Sequence, residues 1–238
     1  LEELRQRLIR CVLSLVVASG VCFFFSGDIY HFLARPLTTE LTALHLSNKL
    51  TYLNPVDPFN LFIKMSIVCG LFLACPYVLW QIWLFISPGL YKHEKRYVWP
   101  FVLLTSALFV AGGAFAYRFA FPAALDFLLK FGHQFQPMVT ITEYWDLAFK
   151  VIVAVGLVFE LPVAIMVLSL FGIITPKFLW KNLRYAILIT AVLAAAILPS
   201  NDLASIFIVW IPLVALYLLS IGLSWLVTIR RRRRAQQA

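Results

Sequence analysis

Apolar residues in this chain run in blocks and do not alternate with polar ones. Six blocks stand out: Leu8 to Phe25, Phe59 to Ile86, Tyr97 to Tyr117, Leu147 to Phe171, Tyr185 to Leu198 and Leu203 to Ile229. Crossing a hydrocarbon core about 30 Å thick takes roughly 20 helical residues. In lipid every backbone polar group must be bonded internally, and nothing here alternates with period two as a barrel strand would, so the blocks predict helices. The expected fold class is an all-α polytopic membrane protein with six transmembrane helices. The fifth block holds only 14 residues, about 21 Å at ~1.5 Å per residue, and local thinning of the bilayer is one way to absorb the mismatch.

The polar connections orient the helices. Arg5, Arg7, Arg10, Lys92, Lys95, Arg96, Lys177, Lys181, Arg184 and the run Arg230 to Arg234 fall on one face, 14 of the 20 basic residues. Positive charge marks the cytoplasmic side, which predicts that both termini and the turns holding Glu94 and Lys177 are cytoplasmic. Lys64, Arg118 and Lys150 lie near span ends on the other side, where they can snorkel outward. Two long connections on that side, Ser26 to Pro58 and about Arg118 to Asp146, are expected to form a structured cap, whereas Pro199 to Asp202 is a tight turn joining spans five and six as a hairpin. No repeat of the kind found in inverted transporter halves is visible, so residues 1–238 read as one domain with a basic tail over 230–238.

Composition agrees: 62% of residues are hydrophobic and 13% charged, against roughly 25% charged in an ordinary soluble domain. The net charge of +9 clusters at span ends, so it signals topology and not nucleic-acid binding. Cys11, Cys22, Cys69 and Cys75 all lie in apolar blocks, without metal-site spacing, and read as small packing residues. The first span leads into a chain that keeps crossing, which argues against a cleavable signal peptide, and a start at Leu1 implies that a few residues precede it. Phosphate-cradling loops and hydrolase motifs are absent, and His31, His45, His93 and His133 are scattered. Neither an enzyme nor a metal or other cofactor is expected.

Candidate chemistry rests on a few acids. Glu94 sits in the basic turn Gly89-Leu90-Tyr91-Lys92-His93-Glu94-Lys95-Arg96, and Glu3 in Leu1-Glu2-Glu3-Leu4-Arg5-Gln6-Arg7-Leu8, on the same face. Together they could receive two positive charges; alternatively they pair with Arg7, Lys92 or Lys95, which would be worth only ~0 to 1 kcal/mol. Glu160 interrupts span four, where an ionisable side chain costs from about 2.5 kcal/mol upward and so faces protein or water. It can serve as a proton relay, as a polar anchor for a guest helix, or as an uncharged carboxyl that fixes helix packing. Gln81 is a second polar group inside the membrane, able to share a cavity with Glu160 or to bond a neighbouring helix.

Pro76, Pro162 and Pro212 should each kink or unwind a span, enclosing a hollow, although membrane helices also tolerate proline. Gly112-Gly113-Ala114 suits internal packing, while Ala191, Ala194 and Ala195 fall at i, i+3, i+4 on short span five, a candidate docking face for another subunit's helix. The Arg230 to Arg234 run is a stop-transfer signal that could also bind anionic lipid headgroups.

These residues, in this order, resemble the TatC family, the multi-spanning subunit of the twin-arginine protein translocase. Glu3-Leu4-Arg5 with Arg7-Leu8, the block Pro88 to Arg96, Ala114-Phe115-Ala116-Tyr117 with Pro122, Phe159-Glu160-Leu161-Pro162-Val163-Ala164 and Gly172-Ile173-Ile174-Thr175-Pro176 carry the likeness. Leu-Tyr-x-His-Glu is the specific element. The resemblance implies a glove-like curve of six helices with a periplasmic cap, in the cytoplasmic (inner) membrane of a prokaryote. It also implies a receptor for twin-arginine signal peptides of folded precursors, with TatB-like and TatA-like single-span partners, self-association into an oligomer and use of the proton-motive force. Glu3, Arg5, Leu90, Tyr91, Lys92, His93 and Glu94 would form the recognition segments, Gln81 and Glu160 a concave intramembrane face, and Asp202 the acid at the far turn. The competing class is a proton- or ion-coupled small-solute transporter built on Glu160.

Overall fold

The computed structural model describes residues 2–35, 50–86, 98–131, 139–198 and 203–235. It is helical almost throughout. The helices are α1 (Glu2–Phe24), α2 (Ser26–Leu33), α3 (Asp57–Ile86), α4 (Val98–Phe115), α5 (Phe121–Phe131), α6 (Ile141–Phe159), α7 (Leu161–Leu170), α8 (Pro176–Lys181), α9 (Leu183–Ile197) and α10 (Leu203–Ala235). A π-helical turn, Ala116–Ala120, joins α4 to α5. Among the described residues, five stretches are long and apolar enough to cross a membrane, and α9, with 15 residues, is a shorter apolar helix.

Two expectations about the spans change. Span three does not stop at Tyr117: helix continues from Val102 to Phe131, and the next begins at Ile141, so the cap predicted over Arg118 to Asp146 is largely made of extended span ends. The reason lies in a face that a hydropathy scan averages away. Ala120, Phe121, Ala124 and Leu125 are buried at helical spacing, while Arg118 and Lys130 occupy the exposed side. The π turn loosens the ladder just before Pro122, which has no N–H to contribute. Thr140 then caps α6, its hydroxyl accepting from the Glu143 N–H (3.4 Å) in a Thr-x-x-Glu start. The prolines also behave unequally. Pro76 and Pro212 sit inside unbroken helices, and only Pro162 coincides with a break, between α6 and α7.

The core lies at the end of the bundle away from the basic residues. Met65, Phe121, Trp145, Val151, Leu198 and Val209, from α3, α5, α6, the end of α9 and α10, are each at most 1% exposed. Tyr30 of α2 packs its ring 5.6 Å from Trp145, and the Tyr117 hydroxyl donates to the Phe32 carbonyl (2.7 Å), so α2 is clamped onto this end. A parallel bridge, Thr51 to Thr140, and the Lys64–Asp146 ion pair (2.7 Å) join α3 and its entry to α6. Lys64 therefore does more than snorkel.

Toward the basic end the packing thins to a small cluster around Trp83, Val102 and Val163. Between 11% and 39% of each spanning window is buried, so the helices form a curved, glove-like wall and not a closed bundle. Glycine sets the closest approaches. A Cβ on Gly112 would stand 2.7 Å from the Phe159 ring, and one on Gly113 would strike the Phe72 ring, which is the internal packing the sequence suggested. The four cysteines are free thiols.

Candidate functional site

Glu3 lies in the first turn of α1, where a carboxylate is favoured by the helix dipole. Its Oε1 accepts both Arg7 bonds, from Nη2 (2.6 Å) and Nε (3.1 Å), the ion pair allowed for from the sequence. The pair is exposed at its acid, with Glu3 at 59%, so it contributes only about 0.3 to 0.5 kcal/mol. Both bonds fall on one oxygen, and Oε2 has no bond to Arg7. Arg5 is exposed on the same helix.

Leu90, Tyr91, Lys92, His93 and Glu94 lie outside the described residues. The helices that flank them are described. Gly70 of α3 meets Ser19 of α1, and Ser14 and Tyr77 line one groove, so the two helices run antiparallel. Carried along both helices, that register brings Glu3 to about the level of Ile86, the last residue of α3.

Inside the membrane, Glu160 occupies the break. It closes α6 with its N–H on the Leu157 carbonyl (3.1 Å), and its own carbonyl accepts from Val163 (3.1 Å) and Ala164 (3.0 Å), so Pro162 sits where no donor is needed. Among the described residues, Glu160 Oε1 and Gln81 Oε1 are buried acceptors without a hydrogen-bond partner. Among the described residues no bond joins the two. Both are acceptors that a donor from another molecule could satisfy.

The alanines of span five do not share one outward face. Ala194 is fully buried in the core, Ala191 is half-buried and Ala195 exposed. Trp210 holds the α9–α10 hairpin by donating Nε1–H toward the Ile187 carbonyl (3.2 Å) and Thr190 Oγ1 (3.3 Å). The outward face is instead Tyr185, Leu188, Ile189, Val192 and Ala195. Hydropathy alone could not separate these two sides, because α9 is apolar all round. Asp202 lies outside the described residues. Sequence reading also missed Asp146, whose signal was an acid facing Lys64 across 82 residues, and Ser169–Ser224, a buried hydroxyl pair (2.5 Å) tying α7 to α10.

A thin curved wall of apolar helices, closed at one end, with acids at the other and unpartnered acceptors within the membrane, defines a polytopic helical membrane protein. Solved structures share this form along nearly their whole length: a twin-arginine translocase receptor TatC matches with TM-score 0.78 at 36% identity, covering 95% of this chain and 98% of that one. The same receptor in DDM matches with TM-score 0.80 at 35% identity, covering 94% and 98%. The family model described as Sec-independent protein translocase protein (TatC) matches residues 1–212. The chain belongs to the TatC family. Among curated relatives, the Sec-independent protein translocase protein TatC of Koribacter versatilis is 47% identical, covering all of this chain and 88% of that protein. The TatC of Aquifex aeolicus is 36% identical, covering 100% and 98%.

Proposed function

We propose that this chain is the signal-peptide receptor of a twin-arginine translocase in the inner membrane of a prokaryote, with both termini cytoplasmic. The observation that carries the reading is the end-to-end likeness to a solved twin-arginine translocase receptor, at TM-score 0.80. Family membership disfavours the solute-transporter alternative.

In this reading Glu3 and Glu94 each take one arginine of the paired motif, and Arg5, Leu90, Tyr91, Lys92 and His93 shape the surface around them. A guanidinium presents a planar fork that matches a carboxylate, which lysine does not. Glu3 can accept it at Oε2 while Arg7 stays on Oε1, so recognition need not break the resting pair. The register that levels Glu3 with the end of α3 supports the two acids acting together. The peptide's apolar segment then lies along the wall, where Gln81 and Glu160 offer acceptors. TatA-like and TatB-like single-span subunits complete the machine. A TatB-like helix docks on the outward face of α9, with Asp202 at the adjacent turn, and receptor copies associate within the complex.

Precursor binding tests the assignment. A charge-assisted bond to carboxylate contributes ~1.5 to 3 kcal/mol, so Glu94→Ala and Glu3→Ala should each weaken an Arg-Arg precursor roughly tenfold or more. A Lys-Lys precursor should bind weakly to the unmodified protein. Unchanged affinity of Glu94→Ala for the Arg-Arg precursor would refute the arginine-receptor role of Glu94.

A further inference from the structure

We infer that the groove between α8 and the outer turns of α10 is a binding site for an anionic glycerophospholipid, with its headgroup on Lys177 and Lys181 and an acyl chain against Ile221 and Gly222. The groove is an open trough of about 590 Å³, with Lys177, Trp180 and Lys181 on one wall and Ile221, Gly222 and Trp225 on the other. That volume lies in the range of specific ligand sites, roughly 300 to 1,000 Å³.

The walls are fixed by bonds that serve nothing inside the groove. Tyr217 donates its hydroxyl proton to the Leu179 carbonyl (3.0 Å), and the Leu179 side chain is buried, so α8 is pinned on α10 by one face. The opposite face carries the lysines at i, i+4 with Trp180 between them, 64% exposed. Thr175 caps the start of α8 by accepting from the Phe178 N–H (3.3 Å). Across the gap, Ser224 is tied to Ser169 of α7, and Trp225 is left 58% exposed.

Gly222 is the telling residue. A Cβ placed on it would meet nothing within 4 Å, so no helix contact requires glycine there, unlike Gly70, Gly112 or Gly113. Its effect is to leave the groove floor open in mid-helix, where glycine otherwise weakens a helix.

The occupant follows from chemistry and position. The groove stands at the bundle's basic end, between the last turn of α7 and the first of α9, where α10 leaves the membrane toward Arg230. Indoles belong at the headgroup level of a bilayer. Among the described residues no carboxylate pairs with Lys177 or Lys181, so two cations face an apolar slot without a counter-charge. An anionic headgroup with attached acyl chains complements both halves. The site adjoins α9, whose 15 residues are short for an unperturbed bilayer, a mismatch that local thinning can absorb.

The test is native mass spectrometry of the purified full chain, delipidated in detergent and titrated with phosphatidylglycerol or phosphatidylcholine. The unmodified protein should hold its first phosphatidylglycerol in preference to phosphatidylcholine. Lys177→Gln and Lys181→Gln should each cost about fivefold in phosphatidylglycerol retention. Gly222→Leu, which fills the slot, should lose both lipids without lowering the melting temperature; should it unfold, the lysine variants decide. Equal retention of the two lipids by the unmodified protein overturns the proposal. So does a preference that survives both lysine changes and disappears when Arg230 to Arg234 become glutamine. Retention unaffected by Gly222→Leu, with weakened co-purification of a single-span subunit, would make the groove a protein interface instead.

Discussion

Replacing Gly70 by alanine tests how α1, the helix that carries Glu3, is held. A Cβ there would lie 2.5 Å from Ser19 Oγ, but also 2.7 Å from the Ser19 backbone nitrogen and 2.8 Å from its Cα. A rotamer change relieves only the first contact. To reach ordinary contact at ~3.5 Å, α1 must retreat by about 0.8 Å, and a gap of that size forfeits about a quarter to a half of each neighbouring attraction. Overpacking of this kind costs ~1 to 3 kcal/mol. Alanine also raises helix propensity by up to ~1 kcal/mol, so the reference is Gly20→Ala, which makes the same gain. Gly20 lies on α1 with nothing within 4 Å of its Cβ position. In a thermal-unfolding series in detergent, read by size exclusion, Gly70→Ala should melt about 2 to 12 °C below Gly20→Ala. Ser19→Gly should not rescue it, because the backbone atoms remain. Equal melting of the two alanine variants would refute the close α1–α3 contact, and with it the register that levels Glu3 with Ile86.

Three further outcomes are expected. Single cysteines at Lys92 and Lys181, in a background without the four native cysteines, should resist an impermeant thiol reagent in intact cells while positions Asn54 and Gln134 react; labelling at 92 from outside would reverse the topology. Leu188→Trp and Val192→Trp should weaken association with a TatB-like subunit and leave insertion intact, whereas Ala194→Trp should destabilise the protein itself, since Ala194 is 0% exposed. Glu160→Gln keeps volume and hydrogen bonding but removes the option of charge, so full precursor transport by this variant would eliminate an obligatory proton relay and leave the polar-anchor role standing.

Much of the architecture was legible because lipid makes hydropathy nearly sufficient. The first, second, fifth and sixth blocks lie on helices whose ends differ from them by a few residues, except where α1 and α10 run further into their charged flanks. The misreadings came where a helix has two unlike faces. Residues 118–131 hide four buried positions behind Arg118, Asp126 and Lys130, and their average reads as a connection. Ala194 and Ala195 differ in exposure because only the first joins the core shared with neighbouring helices. Partner geometry of that kind is absent from a single helix's composition. The prolines carry the same lesson, since Pro162 breaks its helix beside Glu160 whereas Pro76 and Pro212 do not.

The distribution of packing suits the proposed task. A receptor that admits a guest peptide from its basic face needs walls there that are not already satisfied by each other, yet the wall must not collapse when empty. Anchoring α3, α5, α6 and α10 at the far end meets both needs. α3, α5, α6 and α10 converge on Met65, Phe121, Trp145 and Val209, and the Lys64–Asp146 pair and the α2 clamp close that end. From this hub the helices reach toward the basic face as levers, joined there by smaller contacts: the Trp83 cluster, the Ser169–Ser224 pair and the Tyr217–Leu179 bond. Stability is thus concentrated away from the acids. Substitutions at Glu3, at 59% exposure, remove no core contact, whereas a cavity at Trp145 should unfold the whole wall. Loss of recognition without loss of fold is accordingly the outcome that the basic-face variants should give, and loss of both is the outcome at the hub.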